Sequence, residues 1–372
     1  GVVRPVVFLA YSGEARWRDS AGEEHAARLG EPLTAEQTAR AWKTALNPAG
    51  EWMPAVIQAA DRRLQQKRQH VPDAGGMIIA SDQSSARAYA DLLTKITGEV
   101  PTVVLSDDKD ASLRITQFSE STSRWLVAVR MVSEGVDVPR LSVGVYATSA
   151  STPLFFAQAI GRFVRSRRPG ETASIFLPSV PNLLLLASEM EAQRNHVLGK
   201  PHRDTLDDPL DAELAEQKRD EPGDDEQRKI EYLGADAELD QVIFDGSSFG
   251  TATPAGSDEE LDFLGIPGLL DAAAMRDLLR QRQEAQLTKR TANGEVPRPS
   301  THGQLRDLRK ELNTLVSLAH HRTGKSHGQI HNELRRICGG PPVAAAAAGR
   351  VALADRLTVR GNAVYIDHGL GV

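Results

Sequence analysis

Five short apolar runs constrain this chain more than any other feature: Met77–Ala80, Thr102–Leu105, Trp125–Val129, Val143–Ala147 and Ala173–Leu177. Each is continuous or nearly so. A strand with one wet face alternates apolar and polar residues, so unbroken runs predict strands buried on both faces. Between them lie stretches with helical character, Ser84–Ile96, Asp110–Phe118, Pro153–Arg165 and Asn182–Val197. Strands and helices in alternation imply a parallel sheet with helices on both sides. Upstream, Val6–Tyr11 reads as a strand, and Thr34–Asn47 and Glu51–His70 read as helices. Thr34 stands three residues before Gln37, a pairing that marks a helix start.

From about Arg203 the character changes. Between Asp204 and Leu264 there are 20 acidic and 4 basic residues, a net of −16 within a chain whose total is −6. The remainder therefore carries +10, and a basic body suits a polyanionic partner. The acidic stretch is punctuated by Gly, Pro and Ser and reads as a linker, with one short element around Gln241–Phe244. Leu269–Leu287 reads as a helix and Asn293–Ser300 as a second linker. Thr301–Arg360 is basic and has two helical stripes, Leu305, Leu308, Leu312, Leu315 and Ala319, then Ile330, Leu334 and Ile337. The expected organisation is thus a lead-in over 1–74, an α/β domain over 75–202, an acidic linker over 203–300, an all-α accessory domain over 301–360 and a tail over 361–372.

Composition limits the alternatives. With Cys338 the only cysteine, no disulfide can form within the chain and a cysteine-based zinc site is not expected. His320, His321, His327 and His331 read as polar surface, so no metal site is predicted. No apolar run approaches the ~18 residues a membrane span requires, and the first residues do not resemble a signal peptide. The cytosol is the expected compartment.

The chemistry is concentrated in three segments. Met77–Ala80 runs into Ser81, Asp82 and Gln83. Trp125–Val129 is followed by Ser133, Glu134, Gly135 and Asp137. The third segment is Gln158–Arg165. Parallel sheets bind ligands at the carboxyl ends of their strands, so Ser81, Asp82, Glu134, Gly135 and Asp137 are expected to gather there. On a helix, Gln158, Arg162 and Arg165 share one face, and Gly161 admits close approach of another backbone. Guanidinium forks match phosphate oxygens. An arginine supplied from a second lobe accelerates phosphoryl transfer by ~10³–10⁵. The blander alternative is an amphipathic helix with solvated arginines, since Arg167 and Arg168 follow directly.

Taken together these segments resemble helicase motifs IV, V and VI of superfamily two. The likeness is to the branch holding DEAD/DEAH-type DNA helicases and the motor subunits of type I and III restriction enzymes. It rests on Glu134-Gly135-Val136-Asp137-Val138-Pro139 and on the run from Thr148 through Ser151 and Gln158 to Gly161, Arg162 and Arg165. It covers about Gly75 to Leu198 and, less distinctly, extends back to Gly1. The resemblance implies a RecA-like second motor domain. Arg162 and Arg165 would be arginine fingers, with Gln158 ordering their helix. Gly135, Asp137, Glu134 and Gly161 would serve the ATP site. Ser81, Asp82, Gln83, Ser133 and Thr148 would meet the nucleic-acid backbone. Ala159 departs from relatives that carry arginine there.

A motor of this kind also needs a phosphate loop and an acidic pair on a first lobe. Ala319–Ser326 mimics a phosphate loop but follows helical periodicity rather than a strand. Asp258-Glu259-Glu260-Leu261 mimics an acidic box but follows Ala-Gly-Ser. The chain therefore reads as the part of a motor that comes after the first lobe, inactive alone, with ATP and Mg2+ requiring that lobe. DNA is the expected partner, with RNA an open alternative, and the C-terminal unit is a candidate docking site for a protein. The rival readings are a non-catalytic nucleic-acid-binding or partner-docking module, and the motor portion of a restriction-type system.

Overall fold

The structure is a computed structural model. It describes residues 4–19, 22–31, 33–105, 108–129, 137–198, 231–250, 252–267, 269–292, 314–317, 319, 320, 322, 329, 330, 350–353 and 364–367, with 192–198 and the last two stretches described by backbone alone. Two compact units divide the chain: Gly1–Leu29 with Thr38–Ser300, and Gly30–Gln37 with Thr301–Val372.

Elements are numbered here in chain order. The first part holds β1 (Val6–Ser12), β2 (Glu14–Arg18), β3 (Glu24–Arg28), α1 (Ala35–Ala45) and α2 (Trp52–His70). Next come β4 (Gly75–Ala80), α3 (Gln83–Thr97), β5 (Thr102–Val104), α4 (Ala111–Glu120), β6 (Trp125–Val129), β7 (Leu141–Ala147), α5 (Pro153–Gly161), β8 (Ala173–Pro178) and α6 (Pro181–Leu198). The rest comprises β9 (Glu231–Ala235), β10 (Glu238–Phe244), β11 (Ser247–Phe249), β12 (Thr253–Pro254), α7 (Asp258–Leu264), α8 (Ala272–Ala292), β13 (Arg350–Leu353) and β14 (Val364–Asp367).

The parallel sheet expected from the apolar runs is present. Six strands run parallel in the order β1-β8-β7-β4-β6-β5. Every residue of β1, β4, β6, β7 and β8 is buried, as strands covered on both faces must be. Alternation along β1 separates the two faces. On one, Tyr11 reaches Glu260 of α7 at 2.6 Å, and α2 sends Arg63 to Ser174 of β8 at 3.0 Å. On the other, Phe8 stacks on Phe156 of α5 with centroids 6.0 Å apart.

Local chemistry sets the helix ends. The Gln37 N–H bonds Thr34 Oγ1 at 3.2 Å, and the Thr34 N–H bonds Gln37 Oε1 at 3.1 Å. This is the reciprocal box the sequence predicts. At α3, Asp82 accepts the Ser85 N–H at 2.8 Å, and Gly98 at φ 74° closes the helix in the left-handed region.

Three expectations about organisation change. Val6–Ser12, placed by the sequence reading in a lead-in, lies inside the sheet between β8 and β10. Within the acidic linker, residues 231–250, 252–267 and 269–292 are folded, which is more than the short element around Gln241–Phe244 and the helix over Leu269–Leu287 that were expected. There β10 pairs antiparallel with β1, and Leu239, Val242, Ile243 and Phe244 are buried. Average charge conceals such a strand, because its acids are individually bonded: the Ser179 hydroxyl donates to Asp240 at 3.0 Å. In the second unit, residues 314–317 are helical, but β13 and β14 form an antiparallel pair where only helix and an unassigned tail were expected.

The interior holds unusual positive charge. Arg63 and Lys67, one turn apart on α2, are both buried. Lys67 Nζ donates to Thr172 Oγ1 at 3.3 Å and to the Thr172 carbonyl. Burial, then the charges of Arg63 and Arg4, push the Lys67 pKa well below its ordinary 10.5. A lysine with a depressed folded pKa binds its proton less tightly than the unfolded chain does. It therefore weakens the fold at neutral pH, and the penalty fades as pH rises toward 10.5, by up to about 1.4 kcal/mol per pH unit. Lys67→Met is expected to gain stability relative to the parent most at low pH, with the gap closing as pH rises. Urea unfolding from pH 6 to 9.5 measures this, and a pH-independent gap would refute it.

Candidate functional site

The carboxyl edge of the sheet brings part of the expected constellation together. Ala80 of β4 is in register with Val129 of β6 and Ala147 of β7, so Ser81 and Thr148 leave the sheet side by side. The Ser149 N–H donates to Ser81 Oγ at 3.3 Å. Thr148 is buried, and its hydroxyl oxygen accepts the Ala150 N–H at 3.3 Å. The Asp82 carboxylate is engaged at the start of α3 by both the Ser85 N–H and its hydroxyl, at 2.8 and 2.9 Å. Gln83 opens that helix and is half-buried. Ser133, Glu134 and Gly135 lie outside the described residues.

The arginines lie elsewhere. Helix α5 leaves the carboxyl end of β7 and must return to the amino end of β8, its parallel neighbour. It therefore delivers its last residues to the amino edge. Asp137 lies just ahead of β7 at that same edge, and Arg165 Nη1 meets Asp137 Oδ2 at 2.7 Å. This corrects the expectation that Asp137 gathers with Ser81 at the carboxyl ends. Asp137 and Arg165 do come together, but across the sheet from Ser81 and Thr148. Their side chains are 54% and 60% exposed, so solvent screening keeps the pair weak, at most about 1 kcal/mol.

Helix α5 is also shorter than expected. It ends at Gly161 with Arg162 as its C-cap, so Gln158, Arg162 and Arg165 do not share one helical face. Phe163 diverts the chain: it is fully buried beside Gly144 of β7, where an added Cβ would sit 2.6 Å from Phe163 Cζ. The Val164 carbonyl then accepts the Arg4 N–H at 2.7 Å. Gly161 is exposed, and a Cβ there would meet nothing within 4 Å, so no close backbone approach explains it within the described residues. Ala159 faces the core and Gln158 faces solvent. Arg162 is half-buried. With Leu154 65% exposed, the outer side of α5 is partly apolar.

The two segments that mimic motor motifs, Asp258–Leu261 and Ala319–Ser326, do not form a nucleotide site among the described residues. Asp258–Leu261 opens α7, where Ser257 accepts the Glu260 N–H and the buried Glu260 binds Tyr11. Of Ala319–Ser326, residues 319, 320 and 322 are helical and the others are not described. Asp19, Glu23 and His25 bring donor atoms within 4.8 Å of one another. Asp19 Oδ1 accepts the Glu23 N–H at 3.0 Å and Oδ2 lies 3.1 Å from His25 Nε2, which accounts for the cluster as turn chemistry. Among the described residues no helix is long and apolar enough to cross a membrane.

Sequence reasoning missed Gly144, Arg4 and Glu171. A glycine inside an apolar strand run does signal close approach by a neighbour, so Gly144 was detectable. Arg4 and Glu171 carry no such signal.

Comparison with known proteins places the chain among longer relatives. It is 73% identical over 359 residues to Rv2917 of Mycobacterium tuberculosis, covering 94% of this chain and 60% of that protein. To ML1624 of Mycobacterium leprae it is 70% identical over 373 residues, covering 98% and 61%. The chain thus spans about three fifths of the length of these curated relatives, whose names assign no activity. No family model matches the chain. Among solved structures it is similar to domain 2 of the Mss116p DEAD-box helicase bound to an RNA duplex, at 17% identity and TM-score 0.31 over 46% of this chain and 68% of that one. It is also similar to a fragment of a putative HsdR subunit of a type I restriction enzyme from Vibrio vulnificus YJ016, at 16% identity and TM-score 0.29 over 50% and 34%. Both likenesses are partial, and at TM-scores this low neither bears on function.

Proposed function

We propose that this chain carries the second lobe of a nucleic-acid-dependent ATPase of the superfamily-two helicase kind, with DNA as the preferred substrate. The observation that carries the reading is the exposed Arg165 at the exit of α5, held by an equally exposed Asp137 and followed within the same loop by Arg167. A guanidinium so placed is open to a second lobe, and its release from Asp137 costs little.

Arg165 and Arg162 supply donors suited to the oxygens of a terminal phosphate, and Asp137 supplies an acceptor suited to a ribose hydroxyl. Bound MgATP would supply the transferable phosphoryl group, and holding it requires a first lobe with a phosphate loop. As the lobes close, Arg165 exchanges Asp137 for phosphate oxygens where negative charge accumulates in the transition state. Ser81 and Gln83 at the opposite edge would meet the phosphodiester backbone through hydroxyl, amide and backbone N–H groups, as would Ser133 by the resemblance, while the buried Thr148 would hold the turn behind Ser81 through its bond to the Ala150 N–H. Separate edges allow one lobe to grip a strand while its arginines sense the nucleotide, and repeated closure and opening then moves the motor.

The test compares this chain with the full-length protein in ATP turnover, with single-stranded DNA, duplex DNA or RNA added. The full-length protein is expected to hydrolyse ATP faster with nucleic acid, DNA above RNA, while this chain alone does not. Steady turnover by this chain alone, or none by the full-length protein under any condition, would overturn the reading. Binding that weakens steeply with salt would accompany phosphate contacts.

A further inference from the structure

We propose that Arg4 is a positioning residue that sets the distance between the Arg165 loop and the Asp137 loop. The inference rests on the functional reading above for its catalytic consequence, but not for its geometry. Arg4 is 1% exposed, and its groups reach both loops. Its backbone N–H donates to the Val164 carbonyl at 2.7 Å. Its Nη1 donates to the Leu141 carbonyl at 2.6 Å and, over a longer 3.4 Å, to the Phe163 carbonyl. Its Nη2 donates to the Pro139 carbonyl at 3.4 Å and to Glu171 Oε2 at 2.6 Å.

Each contact lies within a few residues of the exposed pair. Phe163 and Val164 immediately precede Arg165. Pro139 follows Asp137 by two residues, and Leu141 begins β7. Glu171, itself buried, also accepts the Arg167 N–H at 3.1 Å. The stretch 163–167 is therefore held on both sides of Arg165, and one guanidinium joins it to the stretch that follows Asp137. Such a bridge needs a planar fork with several donors in fixed directions. A lysine ammonium offers a single centre and cannot span the same carbonyls. The exposed ion pair cannot set this spacing for itself, since screened pairs of that kind contribute little. A buried fork with an anchored carboxylate can, because its donors and acceptors have no water to exchange with.

The experiment substitutes Arg4→Lys in the full-length protein and uses Arg63→Lys as a control. Arg63 is equally buried and binds Ser174 and the Leu264 carbonyl, touching neither loop in those bonds. Two readouts are taken. The first, independent of activity, is the Arg165–Asp137 distance in crystal structures of both variants. Arg4→Lys is expected to open the 2.7 Å pair and Arg63→Lys to preserve it. The second is ATP turnover well below each Tm. Arg4→Lys is expected to lower kcat by about tenfold or more with KM nearly unchanged, the signature of a contact realised in the transition state, while Arg63→Lys keeps kcat within about twofold at a similar loss of Tm. Glu171→Gln, which keeps the volume and removes the anchoring charge, replaces Arg4→Lys if that variant does not fold. A pair left at its parent distance, or equal kcat losses in both variants, overturns the proposal. A displaced pair in a full-length protein that turns over no ATP supports the positioning role and overturns the motor reading instead.

Discussion

Arg165→Ala in the full-length protein is expected to lower ATP turnover by ~10³–10⁵ while leaving nucleic-acid affinity unchanged. The size follows from charge placement: a fixed guanidinium beside accumulating negative charge acts in a closed, water-poor cleft, where its effect far exceeds that in water. The selectivity follows from the sheet. Arg165 and Asp137 lie at the amino edge, whereas Ser81 and Thr148 lie at the carboxyl edge. A substitution at one edge should not disturb contacts made at the other. Stability should hardly change either, because the lost ion pair is more than half exposed on both sides. Turnover and equilibrium binding measured on one preparation test both halves. Retained turnover would remove Arg165 from the site, and a parallel loss of binding would remove the division between the edges.

Much of the fold is legible in the sequence. Strands buried on both faces need unbroken apolar runs, and β4, β6, β7 and β8 lie within one or two residues of where those runs put them. The Thr34–Gln37 box was legible because it is a local hydrogen-bond pattern. What escaped was long-range. That Val6–Ser12 sits between β8 and β10 is a pairing across more than a hundred residues, which no local period encodes. Of the strand Glu238–Phe244 only Gln241–Phe244 stood out, because the acids at its start, Glu238 and Asp240, find their partners, Arg28 and Ser179, far away in sequence. The site divides in the same way. Residue types suited to phosphate could be named from their spacing, but the edge they reach depends on the return path of α5. Its end at Gly161 depends on Phe163 filling the space above Gly144, a tertiary contact that overrides helical periodicity.

Asp61 carries the largest stability effect expected of a single side chain here. The sequence places it inside a helix, with nothing to mark it off from polar residues such as Gln58 and Gln65 that the fold leaves exposed. In the fold it is 3% exposed. Its Oδ1 accepts from Arg124 and, at 2.9 Å, from Trp125 Nε1, and its Oδ2 accepts from Gln65 Nε2 at 2.8 Å. It thereby fastens α2 to the start of β6. Asp61→Ala leaves a guanidinium only 15% exposed facing a loss of its buried partner, with Glu99 3.5 Å away on the solvent side as its remaining counter-charge. It also strands the buried indole N–H of Trp125. Breaking one side of a buried ion pair costs about 3–5 kcal/mol, a large share of the ~5–15 kcal/mol that holds a domain together. Asp61→Asn keeps an acceptor for the indole and should cost distinctly less, because only the charge is lost. Urea unfolding of the three proteins at neutral pH measures the order. An Asp61→Ala loss below about 1 kcal/mol would mean that water or Glu99 replaces the carboxylate, and that the helix is held to the sheet by its other contacts.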